Sequence, residues 1–509
     1  MPKHPQDFRV LLVYPELQGM LVMPLSIGLF TAILRNAGYT VNLFDTAHYI
    51  TDETTSPANR VKFLQARAFD YGKDLRVRWK TDLFGDFRRK VEAFQPDLMV
   101  VTCVEDTFRQ AVSLLETVDD LGIPSICGGV FVTAAPEKAI AFAPVRMIGI
   151  GDGEEIIAQV TERIRRSESC MGIPGVWVRE FDGSISKTPR GPVVDINKLP
   201  IPDFSLFEES RFYRPMGGKI HRTIPVETQR GCSFGCSFCN SPSSVSLARE
   251  DSAGSFLRRK RVPRLREELR TLTDRYQPDL LYVVDDTFLA RPVSEIESLA
   301  KMYQEYRIHF WQNTRPETIT PKTLGLLRDM NCYRMSLGLE AGNEVYRDRV
   351  LHRKMRNDKL LEHFAYAADG GVTFSVNNII GYPDETRELV FETIELNRKL
   401  RGFDSLTVSI FTPYHGTELR RVAEQKGYLD PRVITTHTTS SSLLRMPAPY
   451  LSREEIDQLM RTFPLYVHTD TPRWSDIAQA ETDDTIFARL QEEFRQGIWG
   501  MDPDRGGMP

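Results

Sequence analysis

Three cysteines fall within eight residues of this chain, Cys232, Cys236 and Cys239, in the run Gly231-Cys-Ser-Phe-Gly-Cys-Ser-Phe-Cys-Asn240. Their spacing is C-x3-C-x2-C, and the other four of the seven cysteines are scattered. Tight local runs of thiolates hold iron–sulfur clusters. Three ligands leave one iron of a four-iron cluster without a protein ligand. An open coordination position marks a catalytic rather than a structural metal site, by the logic best known for zinc. The glycines let the backbone bend closely around an inorganic core.

Two other readings use the same thiols. A zinc site needs a fourth ligand close by, and the next histidine is His309. A disulfide knot belongs to small secreted domains rather than to a 509-residue chain with seven cysteines. The motif resembles the signature of the radical S-adenosylmethionine (SAM) superfamily, C-x3-C-x-aromatic-C, with Phe238 in the aromatic slot. That resemblance implies a [4Fe-4S] cluster on Cys232, Cys236 and Cys239 whose open iron chelates the amino and carboxylate groups of SAM. It places Phe238 near the adenine. Reduced by an electron donor such as flavodoxin or ferredoxin, such a cluster cleaves SAM to a 5′-deoxyadenosyl radical.

The elements that present the cysteines lie on both sides of them. Thr223–Thr228 reads as a strand feeding directly into the loop, and Arg264–Arg275 as a helix. Leu280–Asp286 is a second strand ending in two carboxylates; Ile308–Gln312, Tyr333–Glu340, Thr373–Ile380 and Ser405–Phe411 continue the alternation. Six such units are similar to the partial (β/α)6 barrel of the superfamily. Sites of β/α barrels lie at strand C-termini, which makes Asp285, Asp286, Gln312, Asn313, Arg315, Glu340, Asn377 and Asn378 candidates. Gly338-Leu-Glu340-Ala-Gly342 resembles the strand-four motif whose acidic residue contacts SAM. Gly381–Thr386 resembles the G-x-P-x-E-T turn. Phe411–Thr417 resembles the aromatic-x-P-x-P-G-T loop, with His415 in place of the usual proline, as a substrate contact or a solvated loop histidine. The expected SAM-binding residues are therefore Phe238, Asp285, Glu340 and Asn378, with a helix N-cap as the other reading of Asp285. No catalytic residue is assigned. The basic run Arg258–Arg261 reads as a solvated loop, with phosphate binding as its other use.

The first third of the chain is a second alternating pattern. Arg9–Tyr14, Tyr39–Phe44, Leu98–Cys103, Pro124–Cys127 and Arg146–Ile150 read as strands, with helices at Pro24–Ala37, Phe108–Leu121 and Glu154–Arg165. Strands alternating with helices argue a doubly wound parallel sheet, which binds ligands at the carboxyl ends of its strands. Those ends carry Thr102 and Glu105, Gly128-Gly129-Val130, and Gly149–Glu155, beside Pro24–Gly28. Tight strand-to-helix turns alone would produce such loops. The set also looks like the cobalamin-binding domain that precedes many radical SAM domains. The likeness implies cobalamin contacts from Leu25, Ser26, Thr102, Glu105, Gly128, Gly129, Val130, Gly151, Gly153 and Glu154. The D-x-H-x-x-G motif that supplies an axial histidine elsewhere is absent; Asp45-Thr-Ala-His48 has the wrong spacing, and His48 reads as a turn histidine. The polar, basic stretch Thr51–Phe84 reads as a partly helical insertion near the ligand face.

The expected fold class is thus α/β. Residues 1–168 form a Rossmann-like, cobalamin-binding-type domain; 169–218 a linker with a hairpin turning at Asp182-Gly183; 219–425 the partial barrel; and 426–509 a small, mostly helical C-terminal region. Ser452-Arg-Glu-Glu455 opens a helix there through a capping box, and the Gly/Pro-rich tail from Asp502 is expected to be disordered. Hydrophobic content of 41% and charged content of 26% are those of a globular protein, and a net charge of −4 disfavours nucleic acid as partner. No apolar run reaches membrane-spanning length, and few cysteines beside an oxygen-sensitive cluster argue for the cytoplasm.

What the resemblance implies is a cobalamin-dependent radical SAM enzyme methylating an unactivated carbon, or a phosphorus, of a small molecule. Three rivals stand beside it. One keeps the cofactors but cyclises or rearranges its substrate without methyl transfer. Another is a tRNA methylthiotransferase, whose second cluster would fall to Cys103, Cys127 and Cys170. The last is a non-catalytic protein that senses cobalamin or SAM.

Overall fold

The computed structural model describes residues 2–51, 56–436 and 441–499; the tail from Asp502 lies outside the described residues. The first sheet begins with β1 (Arg9–Tyr14), β2 (Thr40–Asp45), β3 (Leu98–Thr102), β4 (Ser125–Gly128) and β5 (Met147–Gly149). They run parallel in the order 2-1-3-4-5. Val10 and Leu12 of β1 enter one apolar layer, Leu11 and Val13 the other, which is why the strand is apolar throughout. Helices Leu25–Asn36 and Gly153–Arg165 cover the first face, and Leu83–Phe94 and Glu105–Thr117 the second. The last of these starts at Glu105, ahead of its apolar periodicity, because Glu105 and Asp106 occupy its first turn, where acidic groups suit the helix dipole.

The Asp182-Gly183 hairpin joins β6 (Val176–Arg179) to β7 (Ile185–Ser186). Rather than standing as a free connector, it extends the first sheet, with β6 antiparallel to β5.

A second sheet opens with β8 (Tyr213–Met216) turning at Gly217-Gly218 into β9 (Lys219–Val226). A short ribbon of β10 (Gln229–Arg230) and β11 (Arg258–Arg259) brackets the cysteine loop. Then come β12 (Leu280–Val283), β13 (His309–Thr314), β14 (Cys332–Glu340), β15 (Thr373–Ile380) and β16 (Ser405–Ile410). The order is 16-15-14-13-12-9-8, and all but β8 are parallel, so the six β/α units are those the alternation predicts. The run Arg258–Arg261 is not a solvated loop. Arg258 pairs with Asp152, Arg259 with Glu295, and buried Lys260 meets Glu268 at 2.8 Å. Acidic partners from three directions draw the run inward.

Helices Arg453–His468, Trp474–Ala480 and Asp484–Phe494 close the chain, the first opened by the Ser452–Glu455 capping box. The insertion after Thr51 does contain helices, at Ser56–Lys62 and Tyr71–Leu75. It packs on the loop after β1, where Tyr71 donates to the Gly19 carbonyl at 2.9 Å, and its polar groups also serve the barrel. Gln65 Oε1 accepts the Val408 N–H of edge strand β16 at 3.0 Å, and Gln491 Nε2 donates to the Lys62 carbonyl.

Candidate active site

The cysteine loop is held by a buried carboxylate. Asp285, just past β12, accepts the backbone N–H groups of Thr228 (2.7 Å) and Gln229 (3.0 Å), the Thr228 hydroxyl, and Arg291 Nη2 at 2.9 Å. Asp285 therefore fixes the exit of β9 and is not a helix N-cap, its carboxylate being taken up by these protein donors. Cys239 caps helix Asn240–Glu250, its Sγ accepting the Ser241 N–H at 3.5 Å. Arg315 Nη1 donates to Cys236 Sγ at 3.2 Å, and the same guanidinium lies 3.9 Å above the Phe234 ring. Burial pushes the Cys239 thiol up to about 12 and raises Cys236, the latter against the pull of Arg353 and Arg315. Cationic iron is the charge that would strip those protons, since thiolates and not thiols are ligands. Three soft donors on one short loop, with arginine at their flank, fit a [4Fe-4S] cluster.

Beside the loop, Phe238 packs on Tyr382 at 5.6 Å, and Tyr382 on Phe411 at 5.3 Å. Tyr382 lies in the G-x-P-x-E-T turn, and its buried hydroxyl has no partner among the described residues. Glu340 ends β14 at φ +70°, where the register with β15 shifts. A Cβ on Gly338 would come 2.1 Å from Glu340 Oε1, so glycine there lets the carboxylate fold back. Arg353 Nη1 holds that oxygen at 3.0 Å, and burial raises the Glu340 carboxyl against Arg353 and Arg315. No sequence motif pointed to Arg353. Asn378 faces the outer helices instead, pairing with Asn397 in both directions (2.8 and 3.2 Å), while Asn377 faces the barrel lumen and accepts from Thr407. Asp286, next to the clamp, accepts from Ser241 at 2.9 Å and lines the main cavity.

That cavity, of about 440 Å³, lies between the strand ends of the first sheet and the cysteine loop. Of the ten residues expected at cobalamin, Leu25, Ser26, Thr102, Gly128, Gly129, Val130, Gly151, Gly153 and Glu154 line it. Gly231, Asn240, Ser241 and Asp286 line it from the other side. At Gly129 (φ +124°) a Cβ would sit 2.0 Å from the Cys103 carbonyl oxygen, so this wall is bare backbone by necessity. A wall of glycines at parallel-strand ends fits a broad planar cofactor, and no histidine lines the cavity among the described residues. His48 lies elsewhere, 3.3 Å from Glu208.

Glu105, the tenth residue, is committed to the junction between the two sheets. Its carboxylate accepts His415 Nδ1 (2.6 Å), the His415 N–H (2.8 Å) and the Thr435 N–H (2.8 Å). Burial alone would raise its carboxyl, but His415 and these donors outweigh it and hold it below the usual range. His415 is thus a buried partner of Glu105 and not a solvated residue. Arg230, which sequence reasoning passed over, lines the cavity and bridges Glu154 (2.8 Å), Asp152 (3.1 Å) and Glu227 (2.8 Å). Cys103 and Cys127 lie 3.8 Å apart in one apolar layer of the first sheet, and Cys170 belongs to the other layer. These three cysteines do not form a second loop of the Cys232–Cys239 kind.

Residues 226–396 match the Radical SAM superfamily. That segment lies in the barrel and is about a third of the chain. The match implies a [4Fe-4S] cluster and SAM, in agreement with the donor set on Cys232, Cys236 and Cys239. The chain is 25% identical to the uncharacterized methyltransferase PH0819 of Pyrococcus horikoshii, over 74% of this chain and 80% of that one. It is 20% identical to cytidylyl-2-hydroxyethylphosphonate methyltransferase of Streptomyces wedmorensis, over 86% of this chain and 85% of that one. Among solved structures it shares the fold of the cobalamin-dependent S-adenosylmethionine radical enzyme OxsB, determined with aqua-cobalamin and SAM bound. That match has a TM-score of 0.64 and 12% identity, covering 98% of this chain and 74% of OxsB. No helix among the described residues is long and apolar enough to cross a membrane.

Proposed function

We propose that this radical SAM protein is a cobalamin-dependent methyltransferase acting on an unactivated carbon, or a phosphorus, of a small molecule in the cytoplasm. The observation that carries the reading is the cavity shared by the strand-end loops of the first sheet and the cysteine loop of the barrel. One wall is the glycine-rich face suited to a corrin, and the other is the loop suited to the cluster. With both cofactors bound, the site has a methyl carrier and a source of hydrogen-abstracting radicals in one enclosure.

This chain's own residues orient and enclose. Cys232, Cys236 and Cys239 would hold the cluster, and Arg315 offsets negative charge at Cys236. Phe238 and Tyr382 form an aromatic wall for the adenine of SAM. Glu340, pinned by Arg353, is the carboxylate that would receive the SAM ammonium. The ionic bridge of Arg230 to Asp152, Glu154 and Glu227 ties the two walls together.

The test counts the products of SAM. Methyl transfer uses one SAM as methyl donor, leaving S-adenosylhomocysteine, and another as radical source, leaving 5′-deoxyadenosine. Both are expected in comparable amounts with the true substrate under reducing, anaerobic conditions, and Glu340→Ala should depress both. Substrate-dependent turnover giving 5′-deoxyadenosine alone would replace methyl transfer with the rearrangement reading.

A further inference from the structure

Two arginines at the barrel, Arg214 in the lumen and Arg60 beside it, have no counter-ion among the described residues. Arg214 of β8 stacks on Tyr282 (5.0 Å) and Trp311 (4.7 Å), whose rings themselves stack at 4.4 Å. Its Nη1 is buried and has no hydrogen-bond partner among the described residues. Arg60, on helix Ser56–Lys62 of the insertion, has no ion pair among the described residues either. Its backbone carbonyl accepts the N–H of Gln65, the residue that docks on β16, so the same segment that closes the open edge of the barrel brings Arg60 in. A third cation there, Arg334, is already neutralised by Asp404. Burial lowers Arg60 below the usual arginine range and the Arg214 charge lowers it further; Arg214 is lowered by burial and by Arg334, against the pull of Tyr282. Two half-buried cations so placed call for an anion.

The lumen above them is open and polar. On β13 and β16, residues facing the helices are buried, whereas those facing the lumen, among them Trp311, Asn313, Thr407 and Ser409, keep solvent-accessible surface. Tyr282 stands four residues before Asp286, which lines the cavity at the cysteine loop. At about 3.3 Å per residue, the arginine pair is roughly 13 Å below that loop.

We propose that the foot of the lumen binds an anionic end of the substrate, a phosphate or carboxylate, between Arg214 and Arg60. The substrate is then an elongated molecule whose reacting atom lies roughly 13 Å from that anion, at the cluster end. The inference rests on the small-molecule reading above, but not on whether a methyl group is transferred.

The experiment is calorimetric titration of cluster-loaded, SAM-bound protein with hexyl phosphate, hexanoate and hexanol. Either anion should bind at least tenfold more tightly than hexanol, and the tighter of the two names the group. Arg214→Gln and Arg60→Gln should each cost at least tenfold in that affinity while iron content and SAM binding hold. Equal binding of all three probes, or anion affinity unchanged in both variants, overturns the proposal. Should a variant not fold, the unaltered protein decides: bromide-soaked crystals must show an anomalous peak within hydrogen-bond reach of Arg214, and its absence overturns the proposal. None of these readouts uses turnover, so they fail independently of the methyl-transfer test.

Discussion

His415 donates both its backbone N–H and its Nδ1 to the carboxylate of Glu105, at 2.8 and 2.6 Å, across 310 residues of sequence. The pair joins the first sheet's third strand-end loop to the loop after β16, and Arg420 stands 3.5 Å away. Glu105→Gln should cost about 3 kcal/mol, the scale of breaking a buried charged pair, read as a lower urea midpoint. The pH dependence has a definite sign. Glu105 is held below its unfolded value of 4.5, so its stabilisation is present above that pH and is lost as pH falls through the lowered folded value. The wild-type acid transition should therefore be steeper than that of the Gln variant.

Iron content separates the two cysteine sets. Changing Cys232, Cys236 and Cys239 together to alanine should abolish the cluster absorbance of anaerobically reconstituted protein, while the Cys103/Cys127/Cys170 variant keeps it. Asp285→Asn touches no iron ligand but removes the charge partner of Arg291 and loosens the loop's anchor. Its iron should be released to a chelator faster than in the wild type.

Cobalamin retention tests the glycine wall. Protein produced with cobalamin should copurify with it, and Gly129→Val should lose it, because no side chain fits at φ +124° against the Cys103 carbonyl. The strain alone costs about 1–3 kcal/mol. Electron paramagnetic resonance of the Co(II) form should show no axial nitrogen splitting, and His48→Ala should leave the spectrum unchanged. Nitrogen splitting abolished in that variant would assign the ligand to His48.

Glu385 gives a second pH signature of opposite sense. Burial raises it to about 8, despite the N–H groups of Gly381 and Tyr382 that it accepts. The folded chain then holds a proton that the unfolded chain has released, so stability falls as pH rises from 4.5 towards 8. The limiting slope is about 1.4 kcal/mol per pH unit. Glu385→Gln should flatten the urea midpoint across that window.

How much of this was legible in sequence depended on how local the signal was. The cysteine loop and the Gly338–Gly342 motif around Glu340 are written in residues within a few positions of one another, whereas the partner of Glu340, Arg353, is not. Asn378 was placed at the right strand end but on the side that faces the helices, and Asp285 just past a strand, where its carboxylate holds the cysteine loop. A strand's two sides alternate, and nothing in Val-Asp-Asp or Val-Asn-Asn tells which side meets the lumen. Glu105 was read from its loop position alone, while its environment is written by His415 and Thr435, hundreds of residues away. Arg60 sat in an insertion with no readable pattern, because its neighbour Arg214 comes from β8, far along the chain.

The docking of Gln65 on β16 also bears on edge-to-edge pairing between copies of the chain. A partial barrel has free flanks, and the backbone of β16 on its outer side would offer another chain a row of unpaired N–H and C=O groups. Gln65 takes one of those groups with a side chain, and the insertion lies across the flank. The insertion thus covers β16 against pairing with a second copy, and the chain freed of residues before Ser205 should self-associate through that strand.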